Sequence, residues 1–194
     1  TNYFLNPRGN FYTKFSAGIL EEFFAGFGFE TLYRPFDKNW GVGVEAWRVQ
    51  QRDYNLDFWL RDYKTTTGYI NFYYREPNSK IFFMMTGGRF LAEDSGILVD
   101  MSRQFDSGVN IGVFAAITDI SKEEFGEGSF DKGFYFNIPI QLFFNKYSRG
   151  QTGFGLKPLT RDGAARLHHG HNLWAVTNGA AIFNIEKDWS TFYD

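Results

Sequence analysis

Cysteine is absent from this chain of 194 residues, and proline occurs only five times. The lack of cysteine excludes disulfide bonds, thiolate metal sites and cysteine nucleophiles. An excess of one charge is also lacking, since 22 acidic and 20 basic residues give a net charge of −2. Nucleic-acid binders usually carry a basic excess, so the sequence favours no nucleic-acid partner. No apolar run in the sequence approaches the length of about 18 residues that a membrane-spanning helix needs.

The first residues, Thr1 to Phe4, contain no basic side chain and open no long apolar stretch. A secretory signal peptide would begin with both features. We therefore expect the chain to be a processed mature protein or a part of a longer one.

Aromatic residues are abundant, with 24 Phe, 11 Tyr and 5 Trp making up 21% of the chain. A disordered chain has few aromatic residues and a large net charge, so global disorder is excluded. The mean hydropathy of −0.35 suits a soluble protein. It equally suits a transmembrane β-barrel, because only alternate residues of such a barrel face lipid.

The apolar residues recur with a period of two, which predicts β-strands. The pattern predicts about eight strands, within a range of eight to ten, followed by a C-terminal segment that loses the alternation. We place the strands and their loops in residues 1–144 and expect residues 145–194 to form a further hairpin or a cap of the same barrel. The predicted strands cover residues 11–20, 23–33, 40–46, 68–75, 80–90, 97–104, 109–118 and 134–142.

The connections between these strands are predicted to alternate in length. The short ones lie near residues 35–39, 76–79 and 106–108, and the longer ones near 52–67, 91–95 and 119–132. In an up-and-down antiparallel sheet, alternate connections lie at the same end. Short turns at one end and long loops at the other are typical of outer-membrane barrels.

The two faces of the predicted strands differ in polarity. One face carries Lys14, Glu30, Glu45, Arg75 and Asp100 together with many glycines. We predict that this face points inward as a polar network in a small, filled barrel. The other face would point outward to lipid, and its large aromatic residues are Phe27, Phe29, Trp40, Phe72, Phe134 and Phe136. The predicted fold is thus an all-β, antiparallel, up-and-down transmembrane barrel. A soluble barrel with the faces reversed stays open as the alternative.

Two segments of the sequence are distinctive: Gly87–Gly96, and Thr118–Gly133, which contains the run FGEGSFDKG. Together with Leu32–Pro35, Gln51–Asp53 and Pro158–Gly163, they resemble the YjbH family of outer-membrane proteins. The resemblance implies a β-barrel in the outer membrane of a Gram-negative bacterium, linked to exopolysaccharide and group 4 capsule production. Family members are much longer, so the resemblance implies a C-terminal barrel portion.

From this resemblance we expect a non-catalytic protein that assists secretion or assembly of an exopolysaccharide or capsule. Its expected partners are outer-membrane lipid, the polysaccharide or its export proteins, and the rest of a longer chain or a second barrel. Two alternatives stay open: a soluble periplasmic or extracellular glycan-binding barrel, and an outer-membrane enzyme that modifies polysaccharide.

The acidic segment within Thr118–Gly133 is the candidate functional loop. It could fold into the barrel mouth as a plug or contact a partner or glycan, or it could be an ordered loop with no further role. Paired carboxylates for glycoside hydrolysis would require one raised pKa and a defined separation. The residues singled out are Phe125, Glu127, Ser129, Phe130, Asp131 and Lys132.

Two further groups of residues are candidates for contacts. Aromatic residues between positions 52 and 67 either stack on sugar rings or anchor a barrel at the membrane interface. The cluster His168-His169-Gly170-His171 is interpreted as a polar surface loop rather than a zinc site, because neighbouring imidazoles need not converge on one ion. No metal or other cofactor is expected. The aromatic candidates are Tyr54, Phe58, Trp59 and Tyr63.

Overall fold

The computed structural model describes residues 1–55, 57–120, 130–144, 150–156, 163–182 and 185. Within these residues the fold consists of ten strands, one 3-10 turn at Ile140–Leu142, and one short helix, α1, at Leu173–Asn178. The strands are β1 (Asn2–Arg8), β2 (Phe11–Glu21), β3 (Phe24–Tyr33), β4 (Trp40–Arg52), β5 (Leu60–Arg75), β6 (Ile81–Arg89), β7 (Ser95–Gln104), β8 (Asn110–Thr118), β9 (Asp131–Pro139) and β10 (Gln151–Leu156).

All ten strands form one antiparallel sheet in chain order. Each strand pairs with the next, and in the described part of the chain no pairing joins β10 back to β1. The all-β antiparallel prediction is confirmed, whereas the count of about eight is corrected to ten. The two added strands are the edges, β1 and β10. Both are short, since β1 has seven residues and β10 has six. In β1 the apolar residues Tyr3, Phe4 and Leu5 are adjacent instead of alternating, so the period-two pattern is missing there.

The predicted long connection at residues 52–67 is wrong. β4 continues to Arg52 and pairs with β5, which begins at Leu60, so the connection covers only residues 53–59. The residues Thr65–Thr67 are β-branched and suit a strand. The connection at residues 90–94, which the sequence predicts to be long, has the same length as the connection at residues 105–109, which it predicts to be short. The expected contrast between short and long ends is therefore weaker than the sequence indicated.

The two faces of the sheet have opposite polarity. On one face, which we call the outer face, large apolar side chains are exposed: Ile70 is 63% exposed and Ile117 is 65% exposed. On the other, inner face, charged and polar side chains are buried, and Lys14 is 0% exposed. Phe27, Phe29 and Phe134 are exposed, while Trp40, Phe72 and Phe136 are half-buried.

The segment 163–182, which contains α1, covers the inner face. Two apolar clusters join it to the strands. Leu167 packs among Trp47, Val49 and Tyr69 in the first cluster. In the second cluster, Leu173 and Trp174 pack against Leu32 and Tyr73. Residues 145–194 thus contribute both an edge strand and an inner layer. Within the described residues, no helix has the length and apolar character needed to cross a membrane.

Inner-face side chains of β3 and of β6 to β9 line one cavity together with residues 163–170. The sheet therefore curls around this part of the segment. Glycine on the inner face leaves room for an aromatic ring from the neighbouring strand, as at Gly28 of β3, which pairs with Trp47 of β4. A Cβ atom on Gly28 would lie 2.5 Å from Cε3 of Trp47, which is closer than real side chains approach.

Candidate functional site

Three charged side chains form a row across the inner face. Strand pairing places Lys14 of β2 opposite Glu30 of β3, and Glu30 opposite Glu45 of β4. All three side chains are at most 2% exposed. The alternation of the strands sets their common face, and the register sets their alignment.

Lys14 has three polar neighbours. Its Nζ lies 3.0 Å from Oε2 of Glu30, 2.8 Å from Nδ1 of His169 and 2.6 Å from the carbonyl oxygen of His171. The other oxygen of Glu30 accepts a hydrogen bond from the backbone N–H of Leu173, at 2.8 Å. This pair of strand residues therefore holds both sides of the turn at Gly170–Asn172.

Glu45 is the most heavily bonded side chain of the row. Arg166 Nη2 donates to its Oε1 at 2.5 Å, and His169 Nε2 lies 2.7 Å from its Oε2. Asn71 Nδ2 also donates to Oε1, and Trp47 Nε1 donates to Oε2, each at 2.8 Å. The His169 ring also stacks on Trp47, with ring centroids 4.3 Å apart.

The charges of this cluster balance. The carboxylates of Glu30 and Glu45 face the cations of Lys14 and Arg166, and His169 can remain neutral while donating through Nε2. Burial alone would lower the pKa of Arg166, but the Glu45 carboxylate beside it raises that pKa above its ordinary value. Buried ions are tolerated only when paired and hydrogen-bonded. Glu30 and Glu45 therefore need the segment 163–182 packed against them, because it supplies part of their hydrogen-bond and ion-pair partners.

Trp174 forms a second attachment at the level of α1. Its ring stacks on Tyr73, with centroids 4.7 Å apart and planes 10° from parallel, and Arg34 Cζ lies 3.7 Å from its centroid. Arg34 also donates to the carbonyl oxygen of Trp174 and to Oγ1 of Thr177. Burial lowers the pKa of Arg34 to about 10, so the guanidinium is still charged at neutral pH.

A third attachment joins the start of the segment to the β6–β7 connection. The backbone N–H of Ala164 donates to Oδ2 of Asp94 at 2.8 Å. The backbone N–H of Leu91 donates to the carbonyl oxygen of Ala165 at 2.9 Å. The segment is thus held at three places along the inner face.

The predicted polar network is only partly brought together. Lys14, Glu30 and Glu45 form the charged row, whereas Arg75 and Asp100 lie apart from it. Arg75 is half-buried at the end of β5, with Cζ 5.5 Å from the Phe82 ring. Asp100 accepts a hydrogen bond from the Tyr135 hydroxyl at 3.0 Å.

A partly open cavity of about 700 Å³ lies between the segment and the later strands. Its lining combines apolar side chains such as Leu98 and Phe114 with the charged residues Asp100, Asp131 and Arg166. The curled sheet is therefore not completely filled by the segment 163–182.

The candidate loop falls partly outside the described residues, which leaves Phe125, Glu127 and Ser129 without a structural account. Phe130 lies just before β9 and is half-buried. Asp131 and Lys132 are the first two residues of β9 rather than loop residues. Asp131 is buried and lines the cavity, and Lys132 is exposed, with Nζ 4.5 Å from the centroid of the Phe130 ring.

Three of the four aromatic candidates are strongly exposed at the β4–β5 connection: Tyr54, Phe58 and Trp59. Tyr63 differs, because its hydroxyl donates to the carbonyl oxygen of Leu91 at 2.5 Å. The three exposed rings are free of the inner-face contacts and lie at one end of the sheet. Their position fits both sugar stacking and anchoring at a membrane interface.

The histidine cluster does not act as one unit. His169 is buried in the charged row, whereas His168 and His171 are exposed. The backbone N–H of His168 donates to Oε2 of Glu21. The prediction of a polar surface loop is therefore wrong for His169, because its ring fills the space between Lys14 and Glu45.

Sequence reasoning missed Arg166, Arg34 and Trp174, which attach the segment to the strands. One signal was available. The inner row contains two carboxylates and one lysine, and a buried row with unequal charges requires another cation from elsewhere in the chain. The identity of that cation, Arg166, could not be read from the periodic pattern.

Comparisons with known proteins give a consistent result. The family model described as "Exopolysaccharide biosynthesis protein YbjH", of the YjbH family, matches residues 1–179. The curated protein "Uncharacterized lipoprotein YjbH" of Escherichia coli (strain K12) is 37% identical over 185 residues. The match covers 93% of this chain but only 26% of that relative. No solved structure matches the chain.

Proposed function

Since this chain belongs to the YjbH family of exopolysaccharide biosynthesis proteins, we propose that it forms a plugged β-barrel wall in the bacterial outer membrane. In this proposal it assists secretion or assembly of an exopolysaccharide and catalyses no reaction. The similar Escherichia coli protein is named as a lipoprotein, which supports a membrane-associated location.

One observation carries the proposal: the apolar side chains lie on the exposed face and the ions lie on the buried face. Val44, Ile97 and Ile117 are about half exposed or more, while Lys14 and Glu45 on the opposite face are almost fully buried. A soluble sheet protein would bury its apolar face and expose its charges. A lipid-facing outer surface with a polar interior is the arrangement of transmembrane barrels.

The strand lengths support the same proposal. β2 to β9 contain nine to sixteen residues each, and a strand needs about 9–11 residues to cross a bilayer. A sheet in lipid must also have no open edge, because unpaired backbone groups are costly there. We therefore propose that the edges β1 and β10 are closed by strand pairing, with each other or with strands of a longer chain or a second barrel.

We propose that the segment 163–182 is a plug that stabilises the wall and obstructs its lumen. Its three attachments are polar and aromatic, and each carboxylate oxygen of the charged row has a hydrogen-bond or ion-pair partner. These carboxylates position the segment and are not placed to act on a substrate. An accessory role for export proteins, with outer-membrane lipid as the surrounding partner, fits a wall that the segment largely covers on its inner face.

Membrane location is tested by extraction and heat-modifiability. Membranes are isolated, the chain is extracted with and without detergent, and gel mobility is compared before and after boiling. We expect detergent dependence and a mobility shift on boiling. Solubility in buffer without a shift would contradict the proposal and favour the soluble glycan-binding alternative.

The role in polysaccharide production is tested in cells that lack the corresponding gene. The expected result is a reduced amount of surface polysaccharide, restored by the full-length protein, with unchanged sugar composition and substitution. A change in composition at unchanged amount would instead indicate the modifying enzyme.

A further inference from the structure

The outer face of β2 to β4 carries an apolar groove. It has a volume of about 610 Å³. Its walls are the rings of Phe15, Phe27 and Phe29, and small residues at Ala17 and Ala46 leave the space between them. A groove of this kind on a lipid-facing surface fits an acyl chain better than a flat strand surface does, because it offers contacts on several sides.

A second depression, of about 300 Å³, continues from the first along β4. Arg48 and Phe27 border both depressions. The second depression is also lined by Lys64 and Leu60 of β5. From Ala46 to Arg48 the groove runs toward the end of β4, where the strand meets the connection 53–59. The apolar part thus lies nearer mid-strand, and the cations lie nearer the strand end.

Two cations border the groove without an acidic partner. In the described part of the chain, neither Arg48 nor Lys64 forms an ion pair, although both are exposed. Some other exposed cations do pair, such as Arg61 with Asp53 and Lys80 with Asp106. Among the described residues, Arg103 and Lys132 also have no ion pair, but they lie over the rings of Phe105 and Phe130 and away from the groove. An anionic ligand would complement the charge that the protein leaves uncompensated here.

We propose that the groove binds a membrane lipid with an anionic phosphate headgroup. Its acyl chain lies among Phe15, Phe27 and Phe29, and its phosphate lies between Arg48 and Lys64. The inference rests on the proposed membrane location. Arginine offers a planar fork that matches phosphate oxygens, and lysine adds a point charge. Cations near a strand end meet the headgroup region of a bilayer, where anionic lipids attract them.

The test uses the full-length protein purified in a mild detergent, with phosphatidylglycerol as the added lipid. Bound lipid is counted by native mass spectrometry after extensive washing, and protein is confirmed to be heat-modifiable. We expect wild type to retain phosphatidylglycerol in preference to zwitterionic phosphatidylcholine. Arg48→Gln with Lys64→Gln should weaken retention by about fivefold for each cation removed.

A matched double variant, Arg103→Gln with Lys132→Gln, removes one arginine and one lysine from exposed positions elsewhere. It should retain lipid like wild type. Ala46→Phe, which fills the groove without changing charge, should also lower retention. Excess inorganic phosphate should not displace the lipid, because the acyl chain contributes to binding.

Each contrary result has a distinct meaning. Equal retention by the Arg48/Lys64 variant and wild type, or equal losses in both double variants, in heat-modifiable protein, would overturn the lipid site alone. Displacement by inorganic phosphate would replace it with a simple anion site. A protein that needs no detergent and shows no heat shift would overturn the membrane location and this inference together.

Discussion

Nζ of Lys14 lies 2.8 Å from Nδ1 of His169, a residue 155 positions later in the chain. An ammonium group has no lone pair, so Lys14 must donate and Nδ1 must accept. The ring proton is therefore assigned to Nε2, which points at Glu45 from 2.7 Å. His169 acts as one acceptor and one donor between a buried cation and a buried anion.

This assignment predicts an order among His169 variants. Gln offers one acceptor and one donor, so His169→Gln should keep the segment 163–182 seated. His169→Leu removes both bonds, which are worth about 1.5–3 kcal/mol each to charged groups. His169→Arg offers only donors and should be worst, because it places a second cation beside Lys14.

The packing of the segment 163–182 on the inner face can be followed with a single introduced cysteine, since the chain has none of its own. Leu167 is 2% exposed within the first apolar cluster, so a Leu167→Cys background reports opening by its rate of maleimide labelling. We expect labelling to rise from His169→Gln through His169→Leu to His169→Arg. Equal labelling of all three variants would contradict the assigned tautomer.

Glu45→Gln should release the segment more than a surface change does. The substitution removes the charge that faces Arg166, a cation whose side chain is 15% exposed. The cost should lie below the value of about 3–5 kcal/mol for breaking a fully buried pair. Cysteine labelling in the same background should rise by more than about tenfold, since labelling follows the open population. The control is Asp53→Asn, which removes a half-buried carboxylate 3.7 Å from Arg61, away from the segment, and should change little.

Trp174→Ala tests the aromatic attachment. The change removes a stacked, nearly buried ring and should cost about 3–5 kcal/mol. Trp59→Ala is the matched control, because Trp59 is 76% exposed and its loss should stay within about 0.5 kcal/mol. Thermal transitions of the heat-modifiable form give the comparison. Similar midpoints for both variants would exclude a stabilising role for the Trp174 stack.

The inner strands were predictable where one face is apolar and the other small or polar, as in β8 with Val113 against Gly112. β4 shows why other bounds failed. Its outer side chains change from Val44 to Arg48, while its inner side chains become apolar at Trp47 and Val49. The inner residues are apolar because the segment 163–182 covers them, and a local pattern contains no trace of a layer contributed by distant residues.

The candidate site was predictable to the same limited degree. Alternation alone places Lys14, Glu30 and Glu45 on one face, and pairing register then aligns them. Their partners Arg166 and His169 lie on irregular backbone more than 120 positions after Glu45, where no periodicity indicates direction. The charge imbalance of the row was a usable signal for a missing cation, but not for a neutral bridging histidine.

A charged substitution on the outer face tests whether the sheet is embedded in a membrane or is soluble. Val44 is 46% exposed near the middle of β4, so Val44→Lys would place an ammonium group deep in lipid. The expected cost is about 2–4 kcal/mol near the bilayer midplane and about 0–1 kcal/mol near the interface. Ile117→Lys, one residue before the end of β8 and also on the outer face, is the control, because its side chain is 65% exposed and lies opposite Ile97.

Both variants are refolded into lipid vesicles, and urea titration of the heat-modifiable form measures their free energy of unfolding. Val44→Lys should shift the transition to lower urea, and Ile117→Lys should remain close to wild type. In water the two positions would behave alike, because an exposed lysine is solvated at either place. Equal transitions would therefore argue that the outer face meets water, and the large difference we expect would follow from the depth of Val44 in the bilayer.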